Sequence, residues 1–488
     1  MNSAEGISKI ARNRLKVFNK FVDFALTKRD YQHNFFPTDL VSFHLAVKPA
    51  PFSASEIREH WLAYADFLKR SKEKHLVQLY IGTPYCRSRC AYCIYFHGVG
   101  TPALLEKYKN DLLASLEYYS EVFKNIVFDT IYFGGGTPSL FSEAQLRQIC
   151  SGLKKNVRYS RIGERSFELT PSSTTLGKLR IIAAAGFNRI SFGVQSLNRD
   201  VLSAVSRIGQ TEKMAEDAVK WAKAAGFRDI NLDIMLGLPN DKNGNSLVES
   251  FRKALSFLPR SILMYPCRET PWYLNKCFRG DLNLFHSAIR LHKGRLREIA
   301  ALAARSGFYS SDSSDVLDSR NADGIIFTNS RLSGKRTVEY QFAVPNRRAS
   351  IFGLGHHSNS CISGTLHYHS TPLVSAPGRN RYSGFETDRR HEMAYFALQE
   401  LSRGRTIHRG KFHNFFGIMP ENAFPEAVIL LKALRGISVC KKGLTLLPRE
   451  PKAFFIHAMF FLPYGDVIKN LLKMSTESAI KYPASPPK

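Results

Sequence analysis

Cysteine is scarce in this chain. Eight cysteines in 488 residues are too few for a disulfide framework, which excludes a stapled secreted scaffold and favours metal or redox chemistry in a reducing compartment. Long apolar runs are missing too. No stretch approaches the roughly 20 residues that a bilayer-spanning helix needs, and the opening MNSAEGISKIARNRLKVFNK lacks the apolar centre of a signal peptide. A cytoplasmic protein without a membrane span is the expectation. Acidic residues are in deficit, 41 Asp and Glu against 69 Lys and Arg for a formal charge of +28, which implies an anionic partner or substrate. The basic residues are nevertheless spread along the chain, and no zinc-finger pair, RNP-like strand or long Lys/Arg run is present. Dedicated nucleic-acid binding is set aside in favour of a solvated basic surface.

What is present suits a large globular protein. At 44% hydrophobic and 23% charged residues the chain can build a sizeable core, as one large catalytic domain with smaller additions. Residues 1–75 read as a helical N-terminal extension; SASEIREHWLAYADFLKR opens with a capping box, Ser53 with Glu56, and then carries Ile57, Trp61, Tyr64, Phe67 and Leu68 at helical spacing. Six apolar strand candidates follow at 77–82, 128–134, 166–170, 188–194, 229–235 and 261–266, separated by amphipathic stretches. That alternation predicts an α/β core over 76–310 with a parallel (β/α)6 sheet, a partial barrel if it curves, and ligands at the carboxyl ends of its strands. Residues 311–388 read as a loop-rich connecting segment with a few strands covering the sheet edge, 389–475 as a small helical or winged-helix domain, and 476–488 as a disordered tail.

The unusual residues fall at those strand ends. Cys86, Cys90 and Cys93 form a C-x3-C-x2-C array just after the first strand, while the other five cysteines are scattered and form no second pair. A structural zinc site normally takes four protein ligands. Three neighbouring thiolates favour a 4Fe-4S cluster with one iron left open, ahead of zinc or chance. Gly134, Gly135 and Gly136 remove side chains where backbone could approach a ligand, and Thr137 adds a hydroxyl. Glu168, Gln195 and Asp233 lie in or just beyond later strands, and with Arg207 they supply carboxylates, an amide and a cation.

Taken in order, LYIGTPYCRSRCAYC, DTIYFGGGTPS, FELTPS, NRISFGVQSLNRDVLSAVSR, GFRDINLDIMLGLP and IFGLGHHSNS resemble the radical S-adenosylmethionine superfamily, and within it the HemN-like branch of oxygen-independent coproporphyrinogen III oxidase-like proteins. The resemblance implies a radical SAM barrel with a HemN-type C-terminal domain, and a 4Fe-4S cluster held by Cys86, Cys90 and Cys93. It implies one or two molecules of S-adenosylmethionine, cleaved at the open iron to a 5′-deoxyadenosyl radical. Tyr80, Gly135, Gly136, Thr137, Glu168, Gln195, Arg207 and Asp233 are the implied cofactor contacts. Cys267, His356 and His357 are candidates for a catalytic donor or substrate contact at the mouth. A small anionic or aromatic substrate and an electron donor such as flavodoxin or ferredoxin complete the expectation.

The departures bear on the reaction. Porphyrinogen oxidases of the branch typically carry a further cysteine two residues after the array, where this chain has Tyr95, and the haem-chaperone signature H-N-x-x-Y-W has no counterpart in VEYQFAVPNRRASIFGLG. Three cysteines without that signature resemble the class C radical SAM methyltransferases of the branch, which implies methyl or methylene transfer to an unsaturated carbon of a small (hetero)aromatic molecule. Oxidative decarboxylation of coproporphyrinogen III and HemW-like haem chaperoning are the alternatives.

Overall fold

The computed structural model describes residues 4–27, 50–72, 75–310, 325–329, 349–356, 358–370, 382–448 and 451–462. The six expected strands all form: β2 (Leu76–Thr83), β3 (Thr130–Gly135), β4 (Arg165–Leu169), β5 (Arg189–Gln195), β6 (Asp229–Leu236) and β7 (Ser261–Pro266). They pair in parallel in that order. Each lies between helices with sequence-encoded starts, such as the Thr101-capped helix α3 (Pro102–Tyr118) and the Ser142–Gln145 capping box that opens α4 (Glu143–Asn156).

Alternation sorts the two faces of this sheet. Val77, Leu79, Ile81, Ile131, Phe133, Phe167, Ile190, Phe192, Leu232 and Ile262 join the helices in one apolar core. The opposite set is polar: Gln78, Tyr80, Tyr132, Ser166, Glu168, Arg189, Ser191, Asn231 and Asp233. Gln78, Ser166, Arg189, Ser191 and Asn231 are nevertheless buried. A parallel sheet with helices on one face alone buries its other face by curling over it, which is the arrangement of a partial barrel. The strand order is open at both ends.

The described parts of the segment 311–388 are strands that lengthen the sheet at both edges. β9 (Ile325–Thr328) pairs antiparallel with β7 and with the short β8 (Tyr309–Ser310). β10 (Ala349–Leu354) pairs in parallel with β2 and is followed by the antiparallel β11 (Asn359–Ile362), β12 (Leu366–Ser370) and β13 (Tyr382–Glu386). The described residues of 1–75 divide between two cores. β1 (Ala50–Phe52) pairs with β13, and α2 (Ala54–Arg70), capped by the Ser53–Glu56 box, enters the main core, where Trp61 Nε1 donates to Tyr368 Oη at 2.7 Å. The first helix, α1 (Ala4–Thr27), packs instead in a second core with the C-terminal helices and the small antiparallel sheet of 406–408, 443–446 and 437–439. There Phe18 meets Phe460 with ring centroids 5.3 Å apart. The expected disordered tail lies outside the described residues.

Candidate active site

The cysteine loop leaves β2 and is fastened on both sides. Tyr85–Cys86 pairs with Gly98–Val99, Gly100 N donates to Cys86 O at 2.9 Å, Ala91 N donates to Val205 O at 2.9 Å, and a turn closes from Cys93 N to Cys90 O at 3.1 Å. Below it Ala91 and Tyr92 sit in an apolar cluster with Val205, Leu238, Cys267, Tyr273, Phe278 and Phe285, against which Cys90 and Cys93 pack. That cluster is pinned by Gly237, whose carbonyl accepts from Tyr273 Oη at 2.8 Å and whose N–H donates to His292 Nδ1 at 2.8 Å. Because Nδ1 accepts, the His292 proton sits on Nε2, facing Asp241 Oδ2 at 3.1 Å. Both side chains of this pair are buried, and the sequence reading flagged neither.

The glycine run reaches the cysteines from β3. Gly136 N donates to Thr83 O at 2.6 Å, Thr137 N to Tyr85 O at 2.8 Å, and Thr137 Oγ1 to Cys86 Sγ at 3.3 Å. Gly135 has φ of +99°, and a Cβ there would stand 2.8 Å from Thr83 O; one at Gly136 would stand 2.5 Å from Tyr85 O. The glycines therefore serve the close approach of two strand ends as well as an open ledge.

Glu168 caps this ledge, accepting from Gly135 N at 3.1 Å and from Tyr132 Oη. Burial, reinforced by the charge of Asp233, raises the Glu168 carboxyl to about 7. Asp233 accepts from Asn231 Nδ2 at 2.7 Å and Ser191 Oγ at 3.2 Å, and burial raises it to about 6. Tyr80 stacks on Tyr132 at 6.1 Å between centroids. Gln195 ends β5 at φ +68°, where the register against β6 slips by one residue. Its Oε1 is buried with no protein partner, as is Thr83 Oγ1. A strained residue at a bulge presenting an orphaned amide oxygen marks a place where a ligand is expected.

Arg207 joins these parts. Its guanidinium donates to Cys90 Sγ at 3.7 Å, Tyr92 Oη at 3.3 Å, Thr170 Oγ1 at 3.0 Å, Gln210 Oε1 at 3.1 Å and the carbonyl of Gly193. Tyr132, Thr170, Ser191 and Asn231 were missed in the sequence, though polar residues at alternate positions of otherwise apolar strands are a readable signal.

Three candidates stand apart. Cys267 is only 5% exposed, beneath the cysteine loop, and burial pushes its thiol up to about 12. His356 packs edge-on against Tyr108 at 5.2 Å, and burial lowers its pKa. His357 lies outside the described residues.

These residues fit the implied cofactors. Burial raises the Cys86 thiol and pushes Cys93 up to about 12, so without metal both keep their protons; iron ligation would displace them. Among the described residues no three His, Cys, Asp or Glu side chains converge as for a single ion. A cluster instead gives each thiolate its own iron. The orphaned oxygens of Gln195 and Thr83, the glycine ledge and the Arg207 cation fit an S-adenosylmethionine beside it.

Comparison with known proteins agrees. The model of the radical SAM superfamily matches residues 80–250. The chain is 31% identical over 222 residues to the haem chaperone HemW of Buchnera aphidicola subsp. Schizaphis graminum, covering 44% of this chain and 58% of that one; it spans about half the length of several such curated relatives. It is 25% identical over 336 residues to the oxygen-independent coproporphyrinogen III oxidase of Paracoccus denitrificans, covering 68% and 72%. The solved structure of HemN from Escherichia coli superposes with a TM-score of 0.61 at 19% identity, over 82% of this chain and 93% of that one, which shows a common fold. The radical SAM match over residues 80–250, the HemW and coproporphyrinogen oxidase relatives, and a fold shared with HemN together support the HemN-like branch of the radical SAM superfamily.

Proposed function

We propose that the chain is a radical S-adenosylmethionine enzyme that oxidatively decarboxylates a porphyrinogen, coproporphyrinogen III or a close analogue. The observation that carries this reading is the alignment with the Paracoccus oxidase, which runs through 68% of the chain and 72% of that enzyme. When bound, the cluster and S-adenosylmethionine supply a one-electron reductive cleavage that generates a carbon radical. The chain's own residues hold and orient. Thr137 and Arg207 brace Cys86 and Cys90, and Glu168 and Gln195 stand ready for the cofactor's polar groups. The apolar cluster under Tyr92 keeps water from the loop. Converting a propionate to a vinyl group removes one hydrogen atom, one carbon dioxide and one electron, so the reaction also needs an electron acceptor.

Haem chaperoning is the second reading, supported by the 31% identity to HemW over the same core. Methyl or methylene transfer ranks behind both, because these relatives lend it no support. The test is anaerobic turnover of the reconstituted protein with S-adenosylmethionine, a low-potential reductant and coproporphyrinogen III. 5′-Deoxyadenosine rising in step with carbon dioxide is the expected result. S-Adenosylhomocysteine rising equally with 5′-deoxyadenosine would restore methyl transfer, and stoichiometric haem capture without turnover would favour the chaperone.

A further inference from the structure

Two guanidiniums flank Cys90, and only one has its hydrogen bonds filled. Arg207 is engaged by a sulfur, two hydroxyls, an amide oxygen and a carbonyl. Arg89, inside the C-x3-C loop, faces aromatic rings instead. Its Cζ lies 4.4 Å from the ring centroid of Trp272 and 5.7 Å from that of Phe96. Its Nε is buried with no partner, and no described carboxylate lies within ion-pair reach of it.

The placement is informative. Trp272 stands in α5 (Pro271–Phe278), which follows β7, so the pair ties the loop after the first of the six parallel strands to the segment after the last. Trp272 itself is 43% exposed, and Tyr95 and Ile94, just before Phe96 in the chain, are 58% and 38% exposed. Rings against a guanidinium hold its plane and strip water from its flank, which strengthens any ion pair made at its free edge. That edge suits a carboxylate, which an arginine can grip with two parallel N–H bonds.

We propose that Arg89 is the residue that receives a carboxylate of the substrate, with Trp272 offering aromatic surface to the body of a flat, unsaturated ligand. This rests on the porphyrinogen reading and narrows it: the substrate is a polycarboxylate gripped beside the cluster loop at one acidic side chain. It also gives the formal excess of basic residues one specific use.

The experiment titrates the anaerobically reconstituted holoprotein with coproporphyrin III and with its tetramethyl ester, followed by absorbance, for wild type, Arg89→Gln, Arg89→Lys and Trp272→Leu. Wild type should prefer the tetracarboxylate by about tenfold or more, the scale of one charge-assisted contact. Arg89→Gln should erase most of that preference, Arg89→Lys should restore part of it, and Trp272→Leu should weaken both probes. Iron and sulfide per chain should stay at the wild-type level in all three variants. An Arg89→Gln protein that keeps the preference overturns the proposal. So does one whose preference falls only together with its iron, because Arg89 would then merely shape the loop. Equal wild-type affinity for acid and ester overturns the carboxylate grip while leaving a macrocyclic substrate in place. Failure of wild type to bind either probe removes the porphyrinogen reading and the inference together.

Discussion

Glu168 offers the sharpest test of the cofactor site. Its carboxyl titrates near 7 because burial and the neighbouring Asp233 disfavour the anion. If the anion receives the positively charged end of S-adenosylmethionine, binding must first ionise the group. With a pKa of about 7 the ionised fraction is roughly 0.09 at pH 6 and roughly 0.76 at pH 7.5, so affinity should rise about eightfold over that span. The α-amino group of the ligand, with a reference pKa near 8, stays largely protonated throughout. Asp233, near 6, would add no more than about a further twofold. The assay is anaerobic equilibrium dialysis of S-adenosylmethionine against cluster-loaded protein. Glu168→Gln should bind more weakly and with a nearly flat profile. A flat wild-type profile, or a Glu168→Gln variant with the wild-type slope, would refute the assignment.

Other perturbations have expected outcomes. Gly135→Ala forces a Cβ onto the Thr83 backbone at φ +99° and should cost at least about 2 kcal/mol in denaturant titration, with lower iron content after reconstitution. Burial alone would raise Asp241, but hydrogen bonds from His292 and from the Leu247 and Ser246 N–H groups outweigh it and lower its pKa. The stability it contributes is therefore present above the ordinary carboxylate pKa of about 4 and is lost as pH falls through the lowered value. Asp241→Asn should melt earlier at neutral pH and narrow the gap to wild type on acidification. Phe18→Ala removes a fully buried ring from the second core and should cost about 3–5 kcal/mol there, with iron content unchanged.

The strands of the core were legible because each is a short apolar run between amphipathic helices, and the cysteine array because its spacing is local. β10 was not. Its apolar ASIFGL closes on β2 across the whole core, and long-range pairing leaves no local pattern in a sequence. The fate of α1 was hidden for the same reason, since its partners lie at the opposite end of the chain. At the site, the conspicuous residues were readable as types. Their supports were less so: Tyr132 under Glu168, Asn231 under Asp233, and the His292–Asp241 pair beneath the loop became visible only when distant segments met. Arg89 and Trp272 each look like ordinary surface residues until the fold stacks them.

The docking of α1 has a consequence in time. About 400 residues separate it from the helix Pro425–Ala433 against which it packs, and ribosomes deliver roughly 5–20 residues per second. An amphipathic helix is thus made before its partners and left waiting for about 20–80 s, while the parallel strands emerge and pair. During that interval its apolar stripe, with Ala11 and Phe18, is open to chaperones or to neighbouring nascent chains. The second core can close only once those later helices are made, and slowing translation between α1 and Pro425 should lengthen the exposure of that stripe in proportion.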